Sequence, residues 1–377
     1  MSSERYRLIA SNLHVGGGVQ VASSLIDEIA QLVDDPEWGP LIGRTDMEIS
    51  TSVAHNIAAA SSARLSARTV DRRPGRPGSL AWPAVARYAG SFTVFGPIYA
   101  LPRADRRIMG YADVTSIYPP PVGVASTKAR IRRALSRFEV GLQDTLVVET
   151  DSFRERIHTE LGDRAPRIVV VPNTVNRRVL DAPLDESIAA RVAAARAQGE
   201  VVLAYPSRPY PHKNFSFLPK VAGELRTRGL DVRYLVTLRD DEWKAAHPAM
   251  RRVCVNLGEL TVDQIPTMMR AADGVFFPSL LEAFSATPVE ALALGVPVYA
   301  ADRDFVRTVC GEAAAYFDPI NAKEAAETIE RELRDDRGRE RRVACGRAIS
   351  AAQPTARDRA VSVLGLLYGR SRGGDAR

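Results

Sequence analysis

Twice along its 377 residues, short apolar runs rich in β-branched side chains alternate with stretches of helical period. That alternation constrains the fold more than any single motif, because strands and helices in strict succession build a parallel sheet covered by helices. In the first half the strand patterns are Tyr6–Ala10, weaker ones near residues 40 and 67, Phe92–Phe95, Thr145–Glu149 and Ile168–Pro172. Helical patterns lie over Val19–Val33, Ser126–Val140 and Ser152–Leu161. The second half is more regular, with strand patterns at Val201–Ser207, Val232–Leu238, Val253–Asn256, Gly274–Pro278 and Val296–Ala300 and a helical segment between each pair. The expected class is α/β, with two doubly wound parallel sheets. The stretch 173–199, with Pro183 and an Ala-rich run, is the place for one sheet to hand over to the next. This gives domains at 1–180 and 181–354, with a last helix at 355–370 joining the first.

Charge separates the two halves. The chain has 51 Lys and Arg against 45 Asp and Glu, net +6. Residues 1–180 carry 23 and 18 of these, net +5, so the excess that favours anionic partners lies in the first half. It concentrates in 64–76, 103–107 and 128–137. The last of these has helical period, with Ile131, Leu135 and Phe138 on one side and arginines on the other. Two readings stand for it, a solvated helix face and a peripheral contact with an anionic membrane. Nucleic acid is not an expected partner, because the basic runs are not interleaved with aromatics and the second half is nearly neutral. Three cysteines, far apart at 254, 310 and 345, make neither a disulfide framework nor a zinc site. No secretory pattern opens the sequence and no apolar run reaches the ~18 residues of a membrane span. The expectation is a cytoplasmic protein, peripheral at most to the inner face of the membrane.

Three segments carry candidate chemistry. Gly16, Gly17 and Gly18 follow the first strand pattern and open a helix, where backbone N–H groups suit a phosphate. The dinucleotide fingerprint fails there, since its third glycine would fall on Val21. Arg208 and Lys213, in SRPYPHKN, come directly after a strand, where parallel sheets bind ligands, and two cations there can meet the charge of a diphosphate leaving group. The segment 276–298 places Glu282 in a loop after a strand and Glu290 on the next helix, where a carboxylate can accept both hydroxyls of a ribose. The Asp302-Arg303-Asp304 triplet invites a metal, but its place after a strand reads better as a helix cap at Asp302 or Asp304.

These motifs, together with LGEL at 257–260, ADGVFFPS at 272–279 and GEAAAYFDP at 311–319, occur in one order. In that order the chain resembles a family-4 glycosyltransferase of the GT-B architecture, two Rossmann-like domains facing each other across a cleft. The resemblance covers most of the second half, and in the first half only the glycine loop and the VVVPNTV run at 169–175. It implies a retaining, metal-independent hexosyl transfer from a nucleotide-diphosphate sugar, with no cofactor. Arg208 and Lys213 would then hold the diphosphate, Glu282 the transferred sugar and Glu290 the ribose. Ala283, Phe284 and Ser285 would give main-chain contacts, Leu260 would lie near the base, and Gly17 and Gly18 would approach the donor from the first domain. The implied acceptor is a lipid-linked glycan in bacterial cell-surface polysaccharide assembly, on the phrases FGPIYALP and YADVTSIYPP. The alternatives are a soluble secondary metabolite as acceptor, an inactive nucleotide-binding protein of the same fold, or a dehydrogenase, the last opposed by the missing glycine. Two departures from the family pattern stand out. Ala283 and Ser285 replace the usual glycines, and no histidine occurs after the middle strand of the first domain, leaving His14 beside the glycine loop as a weak substitute.

Overall fold

The computed structural model describes residues 4–72, 86–98, 103–118, 127–197, 201–284 and 286–370. The chain divides into two compact units, Met1–Asn173 with Pro354–Arg377, and Thr174–Gln353. The first holds a seven-stranded parallel sheet of β1 (Tyr6–Ala10), β2 (Thr45–Ile49), β3 (Ala67–Thr69), β4 (Gly90–Thr93), β5 (Arg107–Gly110), β6 (Thr145–Val148) and β7 (Arg167–Val170). Their order across the sheet is β3-β2-β1-β4-β5-β6-β7. The second holds β8 (Val201–Tyr205), β9 (Val232–Val236), β10 (Cys254–Asn256), β11 (Gly274–Phe277), β12 (Val298–Ala301) and β13 (Ala314–Phe317). Here the order is β10-β9-β8-β11-β12-β13, again all parallel.

Burial explains why these segments are strands. Every residue of β1 and β8 is buried, as required when helices cover both faces of a sheet. Each unit has its own core. In the second, Tyr205, Tyr234, Phe276 and Phe317 fill the centre, and Leu203 and Leu235 carry the same core along neighbouring strands. In the first, the helix Gly17–Gln31 inserts Leu25, Ile26 and Ile29, and Leu364 and Leu367 of the last helix, Ala356–Tyr368, join them. That helix approaches closely enough that a Cβ on Gly90 of β4 would lie 2.3 Å from the Leu367 carbonyl oxygen. The first unit is therefore completed by the C-terminal segment.

Two strands differ from the sequence expectation. β5 has no strand pattern in the sequence and begins in the basic run 103–107, because only Ile108 and Met109 are apolar and Gly110 ends it. A Cβ at Gly110 would stand 1.9 Å from the Val94 carbonyl, so close packing requires the glycine that weakens the strand pattern. β13 is Ala-Ala-Tyr-Phe and lacks β-branched residues. The pattern near residue 40 resolves as the short helix Gly39–Ile42 followed by β2. After β7 the hand-over comes at Asn173–Thr174, so the helix Arg177–Asp181 belongs to the second unit, where Arg178 pairs with Asp263 and Val179 is buried.

Among the described residues, no helix is long and apolar enough to cross a membrane.

Candidate functional site

Each sheet reverses its strand order once, between β1 and β4 in the first unit and between β8 and β11 in the second. At such a reversal the loops leaving the two strands diverge, and a crevice opens beyond their carboxyl ends. All the catalytic candidates lie in the second of these loop pairs. Arg208 and Lys213 stand on the segment leaving β8, and Glu282 on the segment leaving β11.

The β8 loop is held rigidly. Proline on both sides of Tyr210 restricts the backbone, and the ring of Tyr210 stacks on His212 with centroids 5.7 Å apart. Asn214 adopts a left-handed conformation, φ 59°. Its side-chain amide donates to the carbonyls of Pro278 (3.2 Å) and Pro319 (2.9 Å), tying the loop to the ends of β11 and β13. The buried Tyr205 hydroxyl donates to the Lys213 carbonyl at 2.6 Å, and the Leu280 N–H donates to the His212 carbonyl at 2.8 Å. Lys213 is thus fixed from both sides. Its ammonium forms an ion pair with Glu282, both side chains being largely shielded. His212, beside them, has its pKa lowered, chiefly by desolvation.

Arg208 reaches the other way. It pairs with Glu242 at 2.7 Å and with Glu259 at 3.1 Å. Glu242 stands on the helix Asp240–Ala245 after β9, and its second oxygen accepts the Arg239 N–H at 3.0 Å. Glu259 belongs to the 257–260 loop after β10, so one guanidinium joins the ends of β8, β9 and β10. Gly258 in this loop has φ 72°, and Leu260 packs partly against the core. Glu242 is absent from the sequence expectation, since an acidic triplet at a helix start reads as a response to the helix dipole. Only the fold reveals that it faces Arg208.

Glu290 lies on the helix Ala286–Leu294, half-buried, and desolvation pushes its carboxyl up to about 7. Ala283 is buried, and Phe284, partly buried, packs against the core. Ser285 lies outside the described residues. Asp302 and Asp304 do not form a helix cap by side chain. The N-cap of Asp304–Cys310 is Arg303. The Asp302 carboxylate is occupied by Arg307 at 2.5 and 2.8 Å.

In the first unit the three glycines have different physical roles. Gly16 has φ 73°, a conformation that excludes most side chains. A Cβ on Gly18 would stand 3.3 Å from Leu13, so packing keeps it small. A Cβ on Gly17 would meet nothing within 4 Å, so neither backbone nor packing demands that glycine. Asn12 closes the other side of this switch point by donating to the carbonyls of Phe95 (2.6 Å) and Pro97 (2.9 Å) beyond β4. His14 is held in place: its Nε2 bonds the Arg72 carbonyl at 2.8 Å, and its carbonyl accepts the Ser52 hydroxyl at 2.9 Å. Behind the glycine turn, Glu48 of β2 accepts from Ser11 (2.8 Å), Arg7 (2.6 Å) and Arg72. Burial alone would raise its pKa, but hydrogen bonds from Arg72, Ser11 and Arg7 outweigh it and hold the carboxyl at about 2.

Comparison with known proteins agrees with this geometry. The family described as "Glycosyl transferases group 1" matches residues 186–350. A 2-deoxystreptamine glucosyltransferase of Streptomyces kanamyceticus is 26% identical over 191 residues, 49% of this chain and 49% of that protein. A D-inositol 3-phosphate glycosyltransferase of Rhodococcus erythropolis is 30% identical over 176 residues, 43% of this chain and 39% of its own length. The matches therefore span half or less of those curated relatives. Among solved structures, Anabaena Alr3699/HepE in complex with UDP and glucose superposes with a TM-score of 0.66 at 17% identity, covering 96% of this chain and 98% of its own. That likeness extends over both doubly wound units, and it is a likeness of fold. Residues 186–350 are therefore similar to the glycosyltransferase group 1 family, in a chain that has the GT-B fold.

Proposed function

We propose that the chain is a retaining, metal-independent glycosyltransferase that moves a sugar from a nucleoside-diphosphate donor to an acceptor. The observation that carries this reading is the arrangement at the second switch point, where two fixed cations and two carboxylates stand on the loops and helix that follow β8 and β11. Arg208 and Lys213 receive the diphosphate, exchanging their present carboxylate partners for phosphate oxygens. As the glycosidic bond breaks, negative charge grows on the leaving diphosphate, and fixed cations stabilise that state more than the ground state. Glu282, released from Lys213 by that exchange, orients the sugar hydroxyls, and Glu290 accepts the ribose hydroxyls. Ala283, Phe284 and Ser285 contribute backbone contacts, Leu260 borders the base, and Gly17 and Gly18 let the first unit's backbone approach the donor. The transition state is oxocarbenium-like, and the leaving phosphate takes the acceptor proton from the face it departs, which retains configuration without a carboxylate nucleophile.

The acceptor is a lipid-linked glycan of cell-surface polysaccharide assembly. The excess positive charge of the first unit supports it, since carrier-linked glycans bear phosphate. A second reading, a small soluble acceptor, is favoured by the two relatives named for 2-deoxystreptamine and D-inositol 3-phosphate.

A panel of nucleotide sugars tests the donor reading by thermal shift and slow donor hydrolysis. One or a few nucleoside diphosphate sugars are expected to raise the melting temperature and to be hydrolysed in EDTA as well as in its absence. The double variant Arg208→Ala, Lys213→Ala is expected to lose turnover by a factor on the order of 10³ or more. Full turnover in that variant sinks the leaving-group role. Inversion at the anomeric carbon, read by NMR coupling constants, sinks the retaining mechanism.

A further inference from the structure

The helix Thr127–Gly141 turns its apolar stripe away from the protein. Ser136 and Val140 are buried on its inner side, whereas Ile131, Leu135 and Phe138 are 57%, 59% and 66% exposed. At ~100° per residue these three fall within about 60° of arc, on the side opposite Val140. Amphipathic helices ordinarily bury that stripe. Among the described residues the other exposed large apolar side chains, Val15, Leu180, Leu184, Tyr210 and Ile320, are spread over several elements, so the concentration on one helix is particular to it there.

Cations border the stripe on both flanks, with Arg132 on one side and Arg130 and Arg137 on the other, all exposed. Within residues 127–141 there are five basic side chains and one acidic. Glu160 engages Arg133 (2.8 Å) and Arg137 (3.0 Å), and Asp113 touches Arg132 at 3.4 Å, which still leaves a positive excess around the stripe. The first unit as a whole holds 26 basic and 20 acidic residues, and the second 25 of each, so the entire net charge belongs to the unit that bears this helix. A second copy seated on the stripe by two-fold symmetry would set arginine flanks against arginine flanks. A sheet of anionic head groups over acyl chains matches both the apolar centre and the cationic borders.

We propose that Thr127–Gly141 seats the first unit on an anionic phospholipid surface, with Ile131, Leu135 and Phe138 in the acyl boundary and Arg130, Arg132 and Arg137 at the phosphates. This goes beyond the donor reaction and does not depend on it, because lipid binding is measured without nucleotide sugar. The test sediments the full chain with phosphatidylcholine vesicles, with and without phosphatidylglycerol, at low and high salt. Binding to the anionic vesicles that weakens with salt is expected, with little binding to the neutral ones. The variant Ile131→Ser, Leu135→Ser, Phe138→Ser is expected to lower the partition coefficient on the order of tenfold or more, with an unchanged melting temperature. Should the triple variant melt lower, Phe138→Ser alone carries the same test with a smaller drop. Recovery of the parent chain in the supernatant with anionic vesicles overturns the proposal. So does a triple variant that sediments like the parent, or one that loses only self-association in analytical ultracentrifugation, which would assign the stripe to a second copy.

Discussion

Glu290 and Lys213 illustrate opposite ways of holding an ionisable group in a shielded place. Lys213 is paired with Glu282, which stabilises its charge. Glu290 has no hydrogen-bond partner among the described residues, and desolvation raises its carboxyl from 4.5 to about 7. A group raised in this way binds more protons folded than unfolded. Its contribution to stability is complete below the unfolded value of 4.5 and is lost as pH rises through about 7. Glu290→Gln removes that loss, so the variant is expected to gain melting temperature over the parent at pH 8 and to gain little at pH 5. In the proposed ribose role, hydroxyls donating to Glu290 would favour its ionised form, so in the parent nucleotide affinity should rise between pH 6 and pH 8, and in the glutamine variant it should be weaker and flat. Calorimetric titration in two buffers of different ionisation enthalpy checks this through the proton released on binding. A parent affinity independent of pH would remove Glu290 from the ribose site.

At the scale of elements, the first switch point depends on a buried ion cluster. Glu48 of β2 faces Arg7 of β1 and Arg72 beyond β3, which joins three neighbouring strands behind the glycine turn. Removing the carboxylate leaves two buried guanidinium groups without their counter-charge. Glu48→Gln is therefore expected to destabilise the first unit by about 3–5 kcal/mol, measured by urea unfolding at pH 7. The depressed pKa makes its stabilising contribution fully present above 4.5 and lost as pH falls toward about 2, so the difference between parent and variant should shrink by pH 3. Equal urea midpoints at pH 7 would show that the cluster is not a stabilising feature. The sequence gives no warning of this cluster, because Arg7 and Glu48 interrupt apolar strand patterns 41 residues apart. The placement of Arg208, Lys213, Glu282 and Glu290 after β8 and β11 was legible, since they lie within short motifs beside strong strands. Glu242 was not, because its relation to Arg208 depends on β9 lying beside β8. The helix 127–141 was legible as amphipathic, but periodicity does not state which face turns inward.

The division of the whole molecule places the chain's end in its beginning. After the second unit closes at Gln353, the helix Ala356–Tyr368 returns to the first core, where Val363, Leu364 and Leu367 are fully buried and Arg359 lies 3.9 Å from Glu149. At roughly 1.5–3 kcal/mol for each large apolar side chain removed from water, these three residues alone represent a large part of a unit's stability of about 5–15 kcal/mol. The second unit has a separate core to which this helix contributes nothing. Ending the chain after Gln353 is therefore expected to release the first unit and spare the second. Amide hydrogen exchange reads the two separately: protection should collapse in β1 and β4, which lie beneath the helix, and persist in β8 and β11. Loss of protection in both sheets at once would mean that the two units fold as one cooperative body, and that separate cores do not give separate stabilities.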